Sequence, residues 1–151
     1  MFTPITFYAS GLPKGQPRPR AFARNMGGGK FAARVYDSGT AEGWKAQVAV
    51  AAKPHLPNVP LSTPLAVSLA FQMPRPKGHS GKHGLKESAP KHFTGKPDCD
   101  NLSKAVLDAL TQVGMWTDDS IICRLHVWKD YAFASCGCQI VIKEVPLNTT
   151  H

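Results

Sequence analysis

The stretch GKPDCDNLSKAVLDALTQVGMWTDDS, residues 95–120, carries Asp98, Asp100, Asp108, Asp118 and Asp119, five of the ten acidic side chains in the chain. The chain as a whole has a formal net charge of +8, so a basic protein gathers half of its negative charge in one place. Like charges brought together cost free energy unless a cation sits between them, and that cation is a lysine, an arginine or a metal ion. Asp98 and Asp100 are two residues apart, so in an extended lead-in both side chains point the same way. Asp100, Lys104 and Asp108 recur every four residues and share one face of a helix. A purely structural reading covers part of this set: a capping aspartate, plus a surface Asp–Lys–Asp ladder in which each pair contributes about 0.3–0.5 kcal/mol. It gives no reason for Asp98 or for the Asp118–Asp119 pair.

A helix over 101–113 is about 20 Å long at 1.5 Å per residue. The six residues GMWTDD, extended, cover about the same length. The chain can therefore run back along the helix and bring Asp119 beside Asp98 and Asp100, although a second subunit could also complete such a site. Three carboxylates in one place suit a hard divalent cation, Mg²⁺ above all, which keeps waters for a substrate phosphate. Two such ions about 4 Å apart would activate water and stabilise the leaving oxygen of a phosphodiester. Lys104, one turn beyond Asp100, is placed to neutralise the transition state or to orient the attacking water.

These residues need a scaffold, and hydrophobic periodicity supplies one. ITFYASG (5–11) reads as a first strand. A helix is expected from about Thr40 to Ala52, stopped by Pro54. In TPLAVSLAFQMP the larger apolar residues Leu65, Val67, Leu69 and Phe71 alternate with smaller or polar ones, a strand pattern. DNLSKAVLDALTQVG is the clearest helix: Leu102, Ala105, Val106, Ala109, Leu110 and Val113 form one stripe, and Gly114 suits the position after its end. SIICRLHVWKDY and CGCQIVIKEV read as two further strands, with DYAFAS between them suggesting an antiparallel pair. The fold class is α+β, a mixed β-sheet with two packed helices in the order β-α-β-α-β-β. His126 shares a strand face with Ile122 and Trp128 and is expected to be packed. The chain is most simply one domain over residues 1–151.

Two segments interrupt this order. Residues 12–36 carry six Lys/Arg interleaved with Phe22, Phe31 and Tyr36, and their prolines and glycines exclude a regular element. Residues 73–96 are rich in Pro and Gly, with six Lys/Arg, one Glu and His79, His83 and His92. Basic, aromatic and flexible together fit a grip on a nucleic-acid backbone, against the alternative of solvated loops. Residues 1–96 carry 14 Lys/Arg against 3 Asp/Glu, and residues 97–151 carry 4 against 7. A basic half joined to a compact acidic motif suits an enzyme acting on a polyanion.

Other classes are disfavoured. No apolar run approaches a membrane span, and MFTPITFYASG lacks the basic start of a signal peptide. Of the four cysteines only Cys136 and Cys138 are close, and one intervening residue is not a usual zinc spacing. Cys138 falls in step with Ile140 and Ile142, so the thiols are expected to be buried and free in a reducing, cytoplasmic setting.

KPDCDNLSKAVLDAL followed by GMWTDDSIICRLHVWK resembles the RusA family of Holliday junction resolvases of bacteria and their phages. LPKGQPRPR (12–20) is similar to a basic Pro-Lys-Gly-x-Pro-Arg segment of the family's phage branch. The dense match covers about residues 96–131, with Cys99 standing where the family more often has an aliphatic residue. The resemblance implies a homodimeric, Mg²⁺-dependent endodeoxyribonuclease, with Mn²⁺ as an alternative ion, that cuts four-way DNA junctions by paired symmetric nicks. It implies Asp98, Asp100 and Asp119 as metal ligands, Lys104 as the catalytic lysine, and supporting roles for Asn101, Asp108 and Asp118. Lys14, Arg18, Arg20, Arg24, Lys91 and Lys96 are the expected DNA contacts. Two alternatives stay open: a metal-dependent nuclease for other branched DNA, and a non-catalytic basic DNA-binding protein.

Overall fold

The computed structural model describes residues 1–16, 21–25, 31–35 and 40–146, with 21–25, 31–35 and Thr40 described by their backbone alone. Nine residues of alternating apolar character, Leu65–Met73, form strand β4, and the sheet is built around it. β4 lies between β8 (Gly137–Glu144), which is antiparallel to it, and β7 (Ile122–Tyr131), which is parallel to it. β1 (Ile5–Ser10) pairs antiparallel with the far edge of β8, giving the order β1-β8-β4-β7. A parallel neighbour needs a crossover connection, and between β4 and β7 that connection contains helix α2 (Cys99–Val113). Helix α1 (Thr40–Ala52) packs against α2 and β1. The result is α+β, a four-stranded mixed sheet with two helices.

One face of the sheet makes the core. Phe7, Val67, Leu69, Phe71, Ile140 and Ile142 are buried there, facing Trp44 and Val48 of α1 and Leu102, Ala105, Val106 and Leu110 of α2. The register places Phe7 beside Ile140 and Leu69 beside the same residue, so these side chains share a face. The other face carries smaller or polar residues, among them Ser68, Gln72 and Gln139, with His126 level with Ser68 on β7. Among the described residues no helix is long and apolar enough to cross a membrane.

Several expectations are corrected. β7 and β8 are consecutive but do not pair, because β4 is inserted between them and takes both as neighbours. Their connection passes the end of β4, where the Ala132 amide donates to the Met73 carbonyl at 2.7 Å. The basic segment 12–36 does contain regular structure: β2 (Ala21–Asn25) and β3 (Phe31–Val35) form an antiparallel pair. The glycines at 27–29 lie between these two strands in sequence, so they separate the strands without interrupting either. The 73–96 segment holds a 3-10 turn at Lys77–His79 and a minimal pair of strands, β5 (Ser80–Gly81) and β6 (Gly84–Leu85). His126 is exposed, since β7 is an edge strand and its second face is uncovered. All four cysteines are free, but only Cys138 is buried, where burial pushes its thiol pKa far up; Cys123 is exposed.

Candidate functional site

Helix α2 is driven onto the sheet by its apolar stripe, which leaves the opposite face for charge. Asp98 occupies the N-cap position with extended backbone angles, and its carbonyl accepts from the Leu102 amide at 3.0 Å. Its carboxylate makes no capping hydrogen bond. It receives the Lys96 ammonium instead, with Nζ 2.9 Å from Oδ1 and 3.1 Å from Oδ2. Asp100 stands exposed in the first turn, where its backbone carbonyl accepts from Ser103 Oγ at 2.8 Å. One turn on, Lys104 Nζ lies 2.9 Å from Asp108 Oδ1.

The far end of α2 turns the chain back. Gly114 sits at φ 91°, a left-handed conformation that favours glycine, and its amide donates to Leu110 and Thr111. The Met115 amide donates to the Leu110 carbonyl at 3.0 Å, and Trp116 Nε1 donates to Thr111 Oγ1 at 2.7 Å. Trp116 is fully buried and bridges to Leu61, which brackets it with two backbone hydrogen bonds of 3.0 Å. The chain leaves this anchor into Asp118 and a 3-10 turn at Asp119–Ile121, where Asp118 Oδ2 accepts from the Ser120 amide at 3.1 Å. Both aspartates then act on Lys104. Its pKa is raised chiefly by the Asp108 hydrogen bond, which burial partly opposes, and further by the charges of Asp108, Asp119 and Asp118. Reciprocally, Asp118 is held below the usual carboxylate range, first by its hydrogen bonds from Ser120 and also by Lys104.

The lead-in to α2 is tied down from two sides. Lys129 of β7 donates to the Gly95 carbonyl at 2.6 Å and to the Pro97 carbonyl at 2.8 Å, on either side of the cis Lys96–Pro97 bond. From the other direction the Gln16 amide donates to the Asn101 carbonyl at 2.9 Å. A Cβ on Gly15 would stand 3.0 Å from Pro97 Cβ and 3.1 Å from Asn101 Cβ, so only a glycine fits there without displacing them. The basic segment 12–36 thus begins against the acidic end of α2.

A family model described as "Endodeoxyribonuclease RusA" matches residues 10–143 of this chain. The chain belongs to the RusA family. It is also 35% identical over 144 residues to "Uncharacterized protein YqaN" of Bacillus subtilis (strain 168), covering 93% of this chain and 96% of that protein. RusA proteins are endodeoxyribonucleases, and the match spans both basic segments, α2 and the returning Asp118–Asp119 turn.

The divalent ion implied by RusA membership can be tested against these side chains. The donors offered are carboxylate oxygens, the hard ligands such an ion prefers, and Asp98 and Asp100 are exposed at the helix mouth. Donor chemistry therefore fits. Among the described residues, however, no three His, Cys, Asp or Glu side chains converge as ligands of one ion. The turn that carries Asp119 packs against α2, where its charge helps to raise the Lys104 pKa, and the Asp98 carboxylate is occupied by Lys96. An ion at Asp98 would thus compete with the Lys96 ammonium.

Of the expected RusA DNA contacts, Arg18 and Arg20 lie outside the described residues, as does the side chain of Arg24. Lys14 is half-buried at the start of its segment, Lys91 is exposed, and Lys96 is exposed but paired with Asp98. The sequence reading took Lys129 only as the lysine that ends the stretch resembling RusA, without a role, and did not single out Phe93. The signal available was the lysine at the end of the β7 pattern, whose partners are backbone carbonyls and leave no trace in residue types.

Proposed function

We propose that this protein is a Mg²⁺-dependent, structure-specific endonuclease that resolves four-way DNA junctions by paired nicks, acting as a homodimer. The observation that supports the reading is that the 3-10 turn at Asp119–Ile121 packs back against α2, the helix that opens with Asp98 and Asp100, so that the charges of Asp118 and Asp119 act on Lys104. A capping aspartate and a surface ion pair need no such return. Asp98, Asp100 and Asp119 would hold the ion once drawn together, with Lys96 displaced from Asp98, and the bound ion would supply positive charge that activates water and offsets charge on the leaving oxygen.

The remaining work falls to the chain's own groups. Lys104 has its pKa raised above the ordinary 10.5, so it stays an ammonium throughout the neutral range. It donates hydrogen bonds and positive charge to a phosphate in transit and cannot serve as a base. Asp118, held ionised, keeps a negative charge beside Lys104. The basic side chains of residues 1–96 supply the phosphate grip. Two nicks related by the two-fold axis of a junction call for two sites related by the same symmetry, which a dimer provides.

The test incubates purified protein with a labelled four-way junction and a matched linear duplex, in Mg²⁺ or in EDTA, alongside Asp100→Asn. Paired nicks on the junction alone are expected, absent in EDTA and about a thousandfold slower in the variant, since loss of a metal ligand removes several kcal/mol of stabilisation. Preferential cutting of flaps would replace the substrate class. Junction binding without cleavage in any divalent metal would leave a DNA-binding protein.

A further inference from the structure

Lys129 lies near the end of β7, and its half-buried side chain turns onto the lead-in to α2. Two of its three donors are spent on the carbonyls of Gly95 and Pro97, at 2.6 and 2.8 Å. The Phe93 ring centre lies 5.2 Å from the same nitrogen, within cation–π range. Charge-assisted hydrogen bonds this short are the strong ones, and they join residues more than thirty positions apart. The site is also an odd one for a lysine whose role is to stabilise α2, because a helix N-terminus disfavours a nearby cation. The side chains of β7 on this face act together. Tyr131 packs edge-on against Phe93 at 5.2 Å, and Arg75 lies 3.8 Å over the Tyr131 ring while donating to the Pro90 carbonyl at 2.8 Å. The carbonyls of residues 90, 95 and 97 are thereby held to the edge of the sheet.

We propose that Lys129 is a positioning residue of the acidic site: by holding Gly95 and Pro97 it sets where the Asp98 and Asp100 carboxylates stand. The inference rests on the nuclease reading for its consequence and on the hydrogen bonds to Gly95 and Pro97 for its cause. Gly15 and Gln16 close on the same lead-in from the opposite side. Freed of Lys129, the lead-in can shift as a unit, and with it both carboxylates and the Lys96 that covers Asp98.

The experiment compares the wild-type chain with Lys129→Met and Lys129→Arg. Five readouts are taken: Mn²⁺ affinity without DNA by electron paramagnetic resonance, the Mg²⁺ requirement for cleavage, junction affinity in EDTA, the melting temperature, and amide hydrogen exchange over residues 94–100. Lys129→Met is expected to weaken Mn²⁺ binding by about tenfold or more, the usual range for losing a group that orients metal ligands, and to raise the Mg²⁺ requirement in parallel. Junction affinity in EDTA should hold, because the ammonium is committed to carbonyls. Exchange over 94–100 should quicken. Lys129→Arg, whose forked guanidinium can reach two carbonyls, should restore most of both effects. Phe93→Leu keeps the lysine but removes its ring, and should act in the same direction by a smaller factor even if Lys129→Met fails to fold. Equal Mn²⁺ affinity in all variants, or a lowered melting temperature with affinity and local exchange unchanged, would overturn the proposal. A wild-type protein that binds no Mn²⁺ would refute the metal-site reading instead, and the exchange data would still decide whether Lys129 holds the lead-in.

Discussion

The two ends of α2 are built to opposite rules. At the C-terminal end every local preference is met: a left-handed glycine, two amides returned to the last carbonyls, a buried Trp116 with its indole nitrogen satisfied, and Leu61 closing the turn. At the N-terminal end the residue in the capping position caps nothing with its side chain, aspartates stand exposed, and the ammonium of Lys129 sits on the lead-in carbonyls. Proteins whose local rules agree nearly everywhere tend to break them where function demands it. Under the proposed function the contrast gives stability to one end and chemistry to the other, and it can be broken by substitutions that affect the wrong quantity.

The largest effect is expected at the C-terminal end, on stability. Trp116→Ala removes a fully buried aromatic and the hydrogen bond to Thr111, and should lower the unfolding free energy in urea by about 3–5 kcal/mol. A loss below about 1 kcal/mol would mean that the turn is not the anchor its packing indicates. Lys104→Met should show the reverse pattern. Its surface pair with Asp108 contributes only about 0.3–0.5 kcal/mol, so the melting temperature should barely move, while junction cleavage should fall by about a hundredfold. The pH dependence carries a sign. Because the Lys104 pKa is raised, its contribution is complete below the ordinary 10.5 and is lost only as pH rises through the higher folded value. Cleavage measured between pH 7 and 10 should therefore show no step from this lysine, and a step near 8 that disappears in Lys104→Arg would mean that burial outweighs its acidic neighbours and lowers the pKa instead.

What could be read from residues alone follows the same division. α2, its buried stripe and its terminating Gly114 were legible because a 3.6-residue period and a glycine after it are local signals. β4 was legible as a strand from its alternation, but not as the centre of the sheet. Consecutive strands usually lie side by side, and nothing in β7 or β8 announces that β4 comes between them. That error also misplaced His126, since an edge strand with one uncovered face leaves it exposed. The hairpin of β2 and β3 was hidden because its strands are only five residues each and are bounded by turn formers. In the site, the spacing of Asp98, Asp100, Lys104 and Asp119 could be read directly, and chain length alone allowed the return of Asp119. The grip of Lys129 on two carbonyls could not be read, because a backbone acceptor is present at every position and marks none.

The smallest expected effect separates the two ends most sharply. Replacing an aspartate at a helix N-cap by alanine ordinarily costs about 1 kcal/mol, through the lost hydrogen bond from side chain to backbone amide. Asp98 makes no such bond and its carboxylate is half exposed against an exposed Lys96, a pair of the kind whose contribution to stability is close to nothing. Asp98→Ala should therefore change the unfolding free energy by less than about 0.5 kcal/mol, while cleavage is lost as in Asp100→Asn. Equilibrium urea unfolding of the metal-free protein measures the first quantity without interference from bound ions. A loss of a full kcal/mol would return Asp98 to the role of a structural cap, and the N-terminal end of α2 would then obey the same rules as the C-terminal one.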